Sequence, residues 1–416
     1  MADTHVIVGA GQAGNAAAFA MRQSRFAGRI ILVGAEPYRP YERPPLSKTV
    51  ITGETMPDPA YFCDAPLYEK NGIELLTDRR ACAIDCASQH VRLDDGSDLP
   101  FDRLLLATGG RARGIPVEGG EHIHYLRSFD DARATRSGIA TATRVLCIGA
   151  GVIGLELAAS ARSLGRSVTV LEGGATAMGR CLSPEGSDFV ERLHRGAGTE
   201  ILYGVTAVAI EEADGTLRVA CSDGVVREAD VVLAGVGMVR NVELAEAAAL
   251  EIDDGIVADA FGTTSADNIY AAGDVAACRL PGRHRLVRYE SWQHAQDHGA
   301  HVGRSMAGER APYRPIARFW TDQYDVTIQV IGETGSAERT IVRESADDRS
   351  FLALHVGAGG LLVGVTAANR PRDGAVARRL IQAGVPLDMD ALADPAVPLD
   401  GLLKAMKASR PQAHSA

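Results

Sequence analysis

At 416 residues with a formal charge of −10, the chain is long enough for two or three domains with ample core, and its acidity argues against a general nucleic-acid binder. Its apolar stretches are too short or too broken by glycine to cross a bilayer, and the N-terminus shows no basic region followed by an apolar signal segment, so a cytoplasmic protein is expected. The seven cysteines form no C-x-x-C pair, and Cys147 falls in an apolar run as a small core residue would, so no disulfide framework is implied.

In chain order, the first informative stretch is HVIVGAGQAG at 5–14. The apolar run at 6–8 predicts a buried parallel strand, Gly9, Gly11 and Gly14 a tight turn, and 12–23 an alanine-rich helix. In such a turn Gly9 permits the bend, Gly11 lets a pyrophosphate approach the backbone and Gly14 lets helix and strand pack closely, with a dinucleotide across the helix N-terminus. A second strand at 30–33 leads to Glu36, placed either to accept hydrogen bonds from ribose hydroxyls or to sit as a solvated loop carboxylate. Pro44 and Pro45 stiffen PYERPPLSK at 40–48 and present Arg43 and Lys48 either to anionic or electron-rich groups or simply to solvent. Residues 73–106 predict short strands, the last at 103–106, followed by the small residues Ala107, Thr108 and Gly109 that suit close backbone approach. The glycine- and arginine-rich stretch 110–120 predicts a crossover linker.

From residue 144 the opening pattern repeats: strand 145–148, turn glycines Gly149, Gly151 and Gly154, helix 155–164, strand 167–171, then Glu172. Two such units imply two dinucleotides bound by two similar domains. Glu172 suits the ribose diol of NADH and repels a 2′-phosphate, while Arg180 leaves some use of NADPH open. A strand at 230–237 ends on small residues through Gly237 and signals a return to the first domain, and 268–274 predicts a strand whose terminal Asp274 suits a polyol hydroxyl. The helix after Glu290 carries His294, His298 and His301 on one face. That spacing can bind a metal, but polar helix faces also collect histidines by chance, and no carboxylate-rich shell accompanies these; no metal is expected. From about 319, strands at 326–331, 340–342, 351–356 and 361–366 precede helices, predicting a third, α+β domain with a loose tail after Arg410.

Taken in this order and spacing, the two G-x-G-x-x-G turns, PYERPPLSK, LLLATGG, LRSFDDA, GVIGLE, IYAAGD, ESWQHAQ and FWTDQY make the chain resemble the FAD-dependent NADH:ferredoxin reductases of bacterial Rieske oxygenase and cytochrome P450 systems. The resemblance implies a glutathione-reductase-like α/β fold with two Rossmann-like dinucleotide-binding domains, FAD at 1–112 and 242–318 and NAD at 113–241, plus a C-terminal α+β domain at 319–416 that shields the flavin. It implies FAD contacts from Gly9, Gly11, Ala13, Gly14, Glu36 or the backbone at Ala35, Arg43, Lys48, Ala81, Ala107, Thr108, Gly109, Arg127, Gly273, Asp274 and Trp292. NADH would meet Gly149, Gly151, Val152, Ile153, Gly154, Glu156, Glu172 and Gly237. Two positions depart from the family pattern: Arg318 and Val152 stand where aromatic residues are common, the first bearing on partner docking and the second on nicotinamide stacking.

Hydride transfer from NADH to a flavin needs stacked rings in a water-poor site and little acid–base help. Disulfide reductases of this architecture carry a cysteine pair beside the flavin, and the corresponding stretch, 41–48, has none; single-electron delivery to a [2Fe-2S] ferredoxin fits instead. Lys48 is expected to stabilise the reduced, anionic flavin with Glu156 positioning it; alternatively the pair only closes a domain interface. The basic run Arg279, Arg283, His284, Arg285 and Arg288, with Arg310, Arg314 and Arg318 further on, is either a ferredoxin-docking patch or a solvated loop. Two other readings share these motifs: an NADH-sensing interaction flavoprotein resembling apoptosis-inducing factor, and a rubredoxin reductase or NADH oxidase that differs only in its acceptor.

Overall fold

Parallel strands buried on both faces need continuous apolar runs, and the N-terminal run supplies one. In the computed structural model, which describes residues 3–343 and 347–409, the strand Thr4–Val8 pairs in parallel with Arg29–Val33 and with Arg103–Leu106, placing Val6 opposite Ile31 and Leu104. Ile269–Ala271 and Ile73–Leu76 complete this five-stranded parallel sheet. The tail anticipated after Arg410 lies outside the described residues. The sheet belongs to a first unit formed by Met1–Pro45, Pro57–Ala112 and Met238–Pro315; the second unit is Leu46–Met56, Arg113–Gly237 and Ile316–Ala416.

In the first unit, the stretch expected to be a linker begins as a strand. Gly110–Ala112 pairs antiparallel with Met238–Arg240, by which the chain returns, and glycine is required because a Cβ on Gly110 would lie 2.6 Å from the Val239 carbonyl oxygen. The helix Gln12–Gln23 packs against the helix Trp292–Met306 at backbone distance. A Cβ on Gly299 would lie 2.2 Å from the Ala13 carbonyl oxygen, and one on Gly303 would lie 2.4 Å from that of Ala17.

The face of Trp292–Met306 that carries His294, His298 and His301 is buried. Each ring finds a partner and so can be buried neutral. His298 Nδ1 accepts from the Gly273 backbone N–H at 3.2 Å, the His301 ring lies 3.1 Å from the Ala260 carbonyl oxygen, and His294 Nδ1 lies 3.3 Å from the Tyr313 hydroxyl. Among the described residues, no group of three or more His, Cys, Asp or Glu is arranged to hold a metal ion.

The second unit repeats the parallel arrangement, in the order Glu200–Tyr203, Ser167–Glu172, Arg144–Ile148, Val231–Ala234 and Ile123–Tyr125. It also contains a five-stranded antiparallel sheet, ordered Arg318–Gln323, Val326–Gly332, Leu361–Ala368, Phe351–Gly357 and Arg339–Arg343. Leu352, Leu354 and Val365 of that sheet form a core with Ala377 and Leu380 of the helix Pro371–Ala383. Its first strand was not anticipated, because RFWTDQ puts the polar Thr321 and Gln323 at the inward positions; both are nonetheless fully buried. The helix Thr49–Thr52 is tied into this unit by Arg136, which donates to the carbonyls of Val50 (2.7 Å) and Gly53 (2.6 Å).

Two outcomes follow for stability. Gly299→Ala is expected to lower the unfolding free energy by at least about 1–3 kcal/mol. Gly401→Ala, in the helix Leu399–Ser409 with nothing within 4 Å of a Cβ, should raise it by up to about 1 kcal/mol; parallel urea titrations check the contrast. Burial pushes His5, His194, His294 and His355 from 6.5 down to about 4. The folded state therefore binds fewer protons than the unfolded chain, and the stability present above the unfolded value falls as pH drops from 6.5 towards 4. A lower urea midpoint at about pH 5 than at about pH 7 would show this, and equal midpoints would contradict it.

Candidate nucleotide turns and a lysine paired with a buried glutamate

The glycines of the first turn serve different ends. Gly9 has φ +115°, and a Cβ there would lie 2.1 Å from the Ala107 carbonyl oxygen; on Gly14 it would lie 1.9 Å from that of Gly9. Protein packing alone demands both. Around Gly11, by contrast, nothing lies within 4 Å of a Cβ, and this residue precedes a helix that has no side-chain cap. Open access to uncapped backbone N–H groups is what a pyrophosphate requires, so the residues fit a dinucleotide.

Several expected contacts gather here. A Cβ on Gly273 would be 2.8 Å from the Ala13 Cβ. Thr108, between Ala107 and Gly109, donates its hydroxyl to the Asn241 carbonyl at 2.7 Å and accepts from the Asn241 amide at 3.0 Å. Glu36 and Arg43, considered separately in the sequence, form an ion pair at 2.6 Å, and the Tyr41 hydroxyl donates to the same carboxylate at 2.5 Å. Burial opposes charge on Arg43, but Tyr41, Glu36 and Asp274 outweigh it and hold the guanidinium charged. Ala35 is exposed beside Glu36, Ala81 opens the strand Ala81–Asp85 with its side chain in the core, and Trp292 starts its helix. Arg127 and Lys48 belong to the second unit. Arg127 stands just before the capped helix Phe129–Thr141, its backbone N–H donated to Asp131 at 3.0 Å.

The second turn follows the first closely. Gly149 N–H donates to the Leu171 carbonyl at 2.7 Å, as Gly9 does to Val33 at 2.8 Å, and a Cβ on Gly154 would lie 2.0 Å from the Gly149 carbonyl oxygen. Gly151 precedes the helix Val152–Ser163, again with no side-chain cap, and the nearest atom to a Cβ on it is the Gly235 carbonyl oxygen at 3.4 Å. A second dinucleotide fits on the same grounds. Val152 begins that helix, and beside it the Ile153 side chain is 38% exposed. Glu172 is pinned to the turn, its carboxylate accepting from the Ala150 N–H at 2.6 Å and the Gly174 N–H at 2.7 Å. Gly237, with φ +109°, faces the guanidinium groups of Arg180 and Arg113.

Glu156, on the helix Val152–Ser163, is only 3% exposed. Lys48 Nζ lies 3.1 Å from its Oε1 and 3.3 Å from Asp322 Oδ2. The Thr321 hydroxyl donates to Oε1 at 2.6 Å and the Ser47 hydroxyl to Oε2, while the Ser160 hydroxyl holds the Ser47 carbonyl at 2.6 Å. The pair expected from sequence is therefore present, and with it three residues the sequence reading did not single out: Ser47, Thr321 and Asp322. All three lie inside the quoted motifs PPLSK and FWTDQY, so the signal was there in the neighbours of the named residues. A buried ion pair is tolerable only when its remaining lone pairs and protons are satisfied, and these hydroxyls and Asp322 do that.

The basic run divides. Arg279 pairs with Glu251, and Arg288 with Asp254 (3.0 Å) and Glu290. Arg283, His284, Arg285, Arg310 and Arg314 are exposed. Arg318 starts the first strand of the antiparallel sheet, in the second unit.

Comparison with known proteins places these features in a family. The model of the pyridine nucleotide-disulphide oxidoreductases matches residues 3–299, and that of the reductase C-terminal domain matches 318–403. The chain is 39% identical to the ferredoxin–NAD(+) reductase component of the anthranilate 1,2-dioxygenase system of Burkholderia cepacia, over 97% of this chain and 100% of that one. It is 35% identical to putidaredoxin reductase of Pseudomonas putida, over 98% of each. Among solved structures, the ferredoxin reductase for the CYP199A2 system of Rhodopseudomonas palustris superposes with a TM-score of 0.93 at 34% identity, covering 98% of this chain and 100% of that one. The reductase in the covalent putidaredoxin reductase–putidaredoxin complex gives 0.92 at 35%, covering 98% and 99%. The two glycine turns, the sheet that each opens and the C-terminal antiparallel sheet are thus those of a shared design, and the chain belongs to the pyridine nucleotide-disulphide oxidoreductase family, with a reductase C-terminal domain.

Proposed function

We propose that the chain is an NADH-dependent ferredoxin reductase, holding FAD and delivering electrons singly to a [2Fe-2S] ferredoxin that serves a Rieske oxygenase or a cytochrome P450. The observation that carries this reading is the pairing of half-buried Lys48 with buried Glu156 in a chain with two glycine turns that fit dinucleotides and no cysteine at 41–48. Relatives of near-equal length are ferredoxin–NAD(+) reductase components of dioxygenase systems, which supports the choice of acceptor. FAD, when bound, takes an electron pair from NADH as hydride and can release electrons one at a time.

The chain's own residues bind and orient. Gly9, Gly11 and Gly14 with Ala13 and Gly273 cradle the FAD pyrophosphate, and Glu36, braced by Arg43, receives ribose hydroxyls. Gly149, Gly151 and Gly154 do the same for NADH, with Glu172 accepting from its ribose diol and repelling a 2′-phosphate. Lys48 supplies a fixed positive charge that favours an electron-rich flavin, and Glu156 with Asp322 hold the ammonium in place. We assign FAD binding to 1–112 and 242–318, NAD binding to 113–241 and the third domain to 319–416, and the cytoplasm, where NADH is made, as the compartment. Exposed Arg283 and Arg285 form the centre of a docking patch for an acidic ferredoxin.

Lys48→Gln is expected to slow flavin reduction by NADH about tenfold or more in stopped flow while FAD retention changes less; an unchanged rate removes Lys48 from the reaction. Purified holoprotein should reduce cytochrome c strongly only when a [2Fe-2S] ferredoxin is added. Arg283→Glu combined with Arg285→Glu should raise the apparent KM for ferredoxin and leave NADH–ferricyanide activity intact, whereas equal loss of both activities would contradict docking at this patch.

A further inference from the structure

Glu156 does not end the polar network of the second unit; a line of buried groups runs outward from it, and the direction of every bond in that line follows from the first. An ionised carboxylate only accepts, so the Thr321 hydroxyl at 2.6 Å must donate to it. Thr321 Oγ1 then accepts from the Gln323 amide nitrogen at 2.8 Å. With its nitrogen so committed, Gln323 turns its oxygen to His194 Nε2 at 3.1 Å, which must therefore carry the imidazole proton. Nδ1 is left as an acceptor for the Tyr324 hydroxyl at 3.3 Å, and the Tyr324 oxygen in turn accepts from Thr199 at 3.1 Å. His194, Gln323 and Thr321 are each 0% exposed, so water does not compete for the bonds between them, while Tyr324, which links His194 to Thr199, is half-buried.

We propose that Thr199, Tyr324, His194, Gln323 and Thr321 form a single directional hydrogen-bond chain terminating on Glu156, and that His194 is a positioning residue for the Lys48–Glu156 pair. The proposal rests on the role given to that pair above. Its physical content is coupling: the imidazole tautomer, the amide orientation and the Glu156 charge are fixed together, because reversing any link leaves Thr321 with no proton for the carboxylate. The ring is suited to this, since burial keeps it neutral with one donor and one acceptor nitrogen. The chain also joins the helix Pro184–Gly196, which carries His194, to the strand Arg318–Gln323. It accounts for the buried polar residues of FWTDQY without requiring any of them to touch a substrate.

The test reads the tautomer directly. In flavin-loaded protein with ¹⁵N-labelled histidine, the His194 signal, assigned by its loss in His194→Gln, should be that of the Nε2-protonated neutral ring. Thr321→Val removes the link that orients Gln323, so the Nδ1-protonated tautomer should appear and NADH-driven flavin reduction should slow by about 3- to 10-fold. Thr321→Ser keeps the hydroxyl and should restore both the native signal and most of the rate. An Nδ1-protonated ring in the native protein, or a native signal that persists in Thr321→Val, would overturn the chain. If the tautomer responds as described but no ferredoxin accepts electrons, the chain is upheld and it is the acceptor assignment that fails.

Discussion

A carboxylate buried to 3% exposure is costly without hydrogen-bond donors, and three residues of the second unit, Ser47, Lys48 and Thr321, give Glu156 its donors. Ser47 and Lys48 come from one stretch of chain and Thr321 from another, while Asp322, next to Thr321, holds the Lys48 ammonium. This requirement explains two otherwise odd features. The strand Arg318–Gln323 turns polar side chains inward, against the usual alternation, because Thr321 and Gln323 are needed inside. The stretch Leu46–Met56 packs with the second unit although the chain on both sides of it belongs to the first, and Arg136 holds it there through backbone carbonyls.

The same helix that carries Glu156 begins at the second glycine turn, and the two constraints meet along it. Gly154 lets the helix approach the Gly149 carbonyl to a distance that any side chain would forbid. The start of the helix is thereby fixed, and with it the position of Glu156, two residues further on. A substitution that loosened the turn would move the acid away from Thr321 and Lys48. The second glycine turn and Glu156 therefore share one helix and are held together as one rigid element.

The sequence was most legible where local chemistry and topology agree. Glycine spacing, apolar strand runs and the acid after the second strand located both turns, and the helix Gln12–Gln23 was bounded correctly because its turn glycine and its alanines leave little alternative. It was less legible where burial depends on a distant partner. His294, His298 and His301 sit on a face that looks polar in sequence until Tyr313, Gly273 and Ala260 are seen to partner one nitrogen of each ring. Thr321 and Gln323 broke the strand pattern for the same reason, and Gly110–Ala112 was read as linker because its pairing strand lies far along the chain. In each case the deciding contact is non-local, and composition over a short window cannot carry it.

The two acids that follow the second strand of each turn show how one motif is given two electrostatic characters. Glu36 is matched by the Arg43 guanidinium and the Tyr41 hydroxyl, so its charge is largely neutralised where it stands, which suits the proposed role of orienting hydroxyls. Glu172 is held by the backbone N–H groups of Ala150 and Gly174, which fix its geometry without cancelling its charge. A carboxylate held in this way projects a negative potential across the turn that a ribose diol can satisfy and a 2′-phosphate cannot. The proposed preference for NADH rests on this difference between a guanidinium and two peptide dipoles as partners for the same side chain.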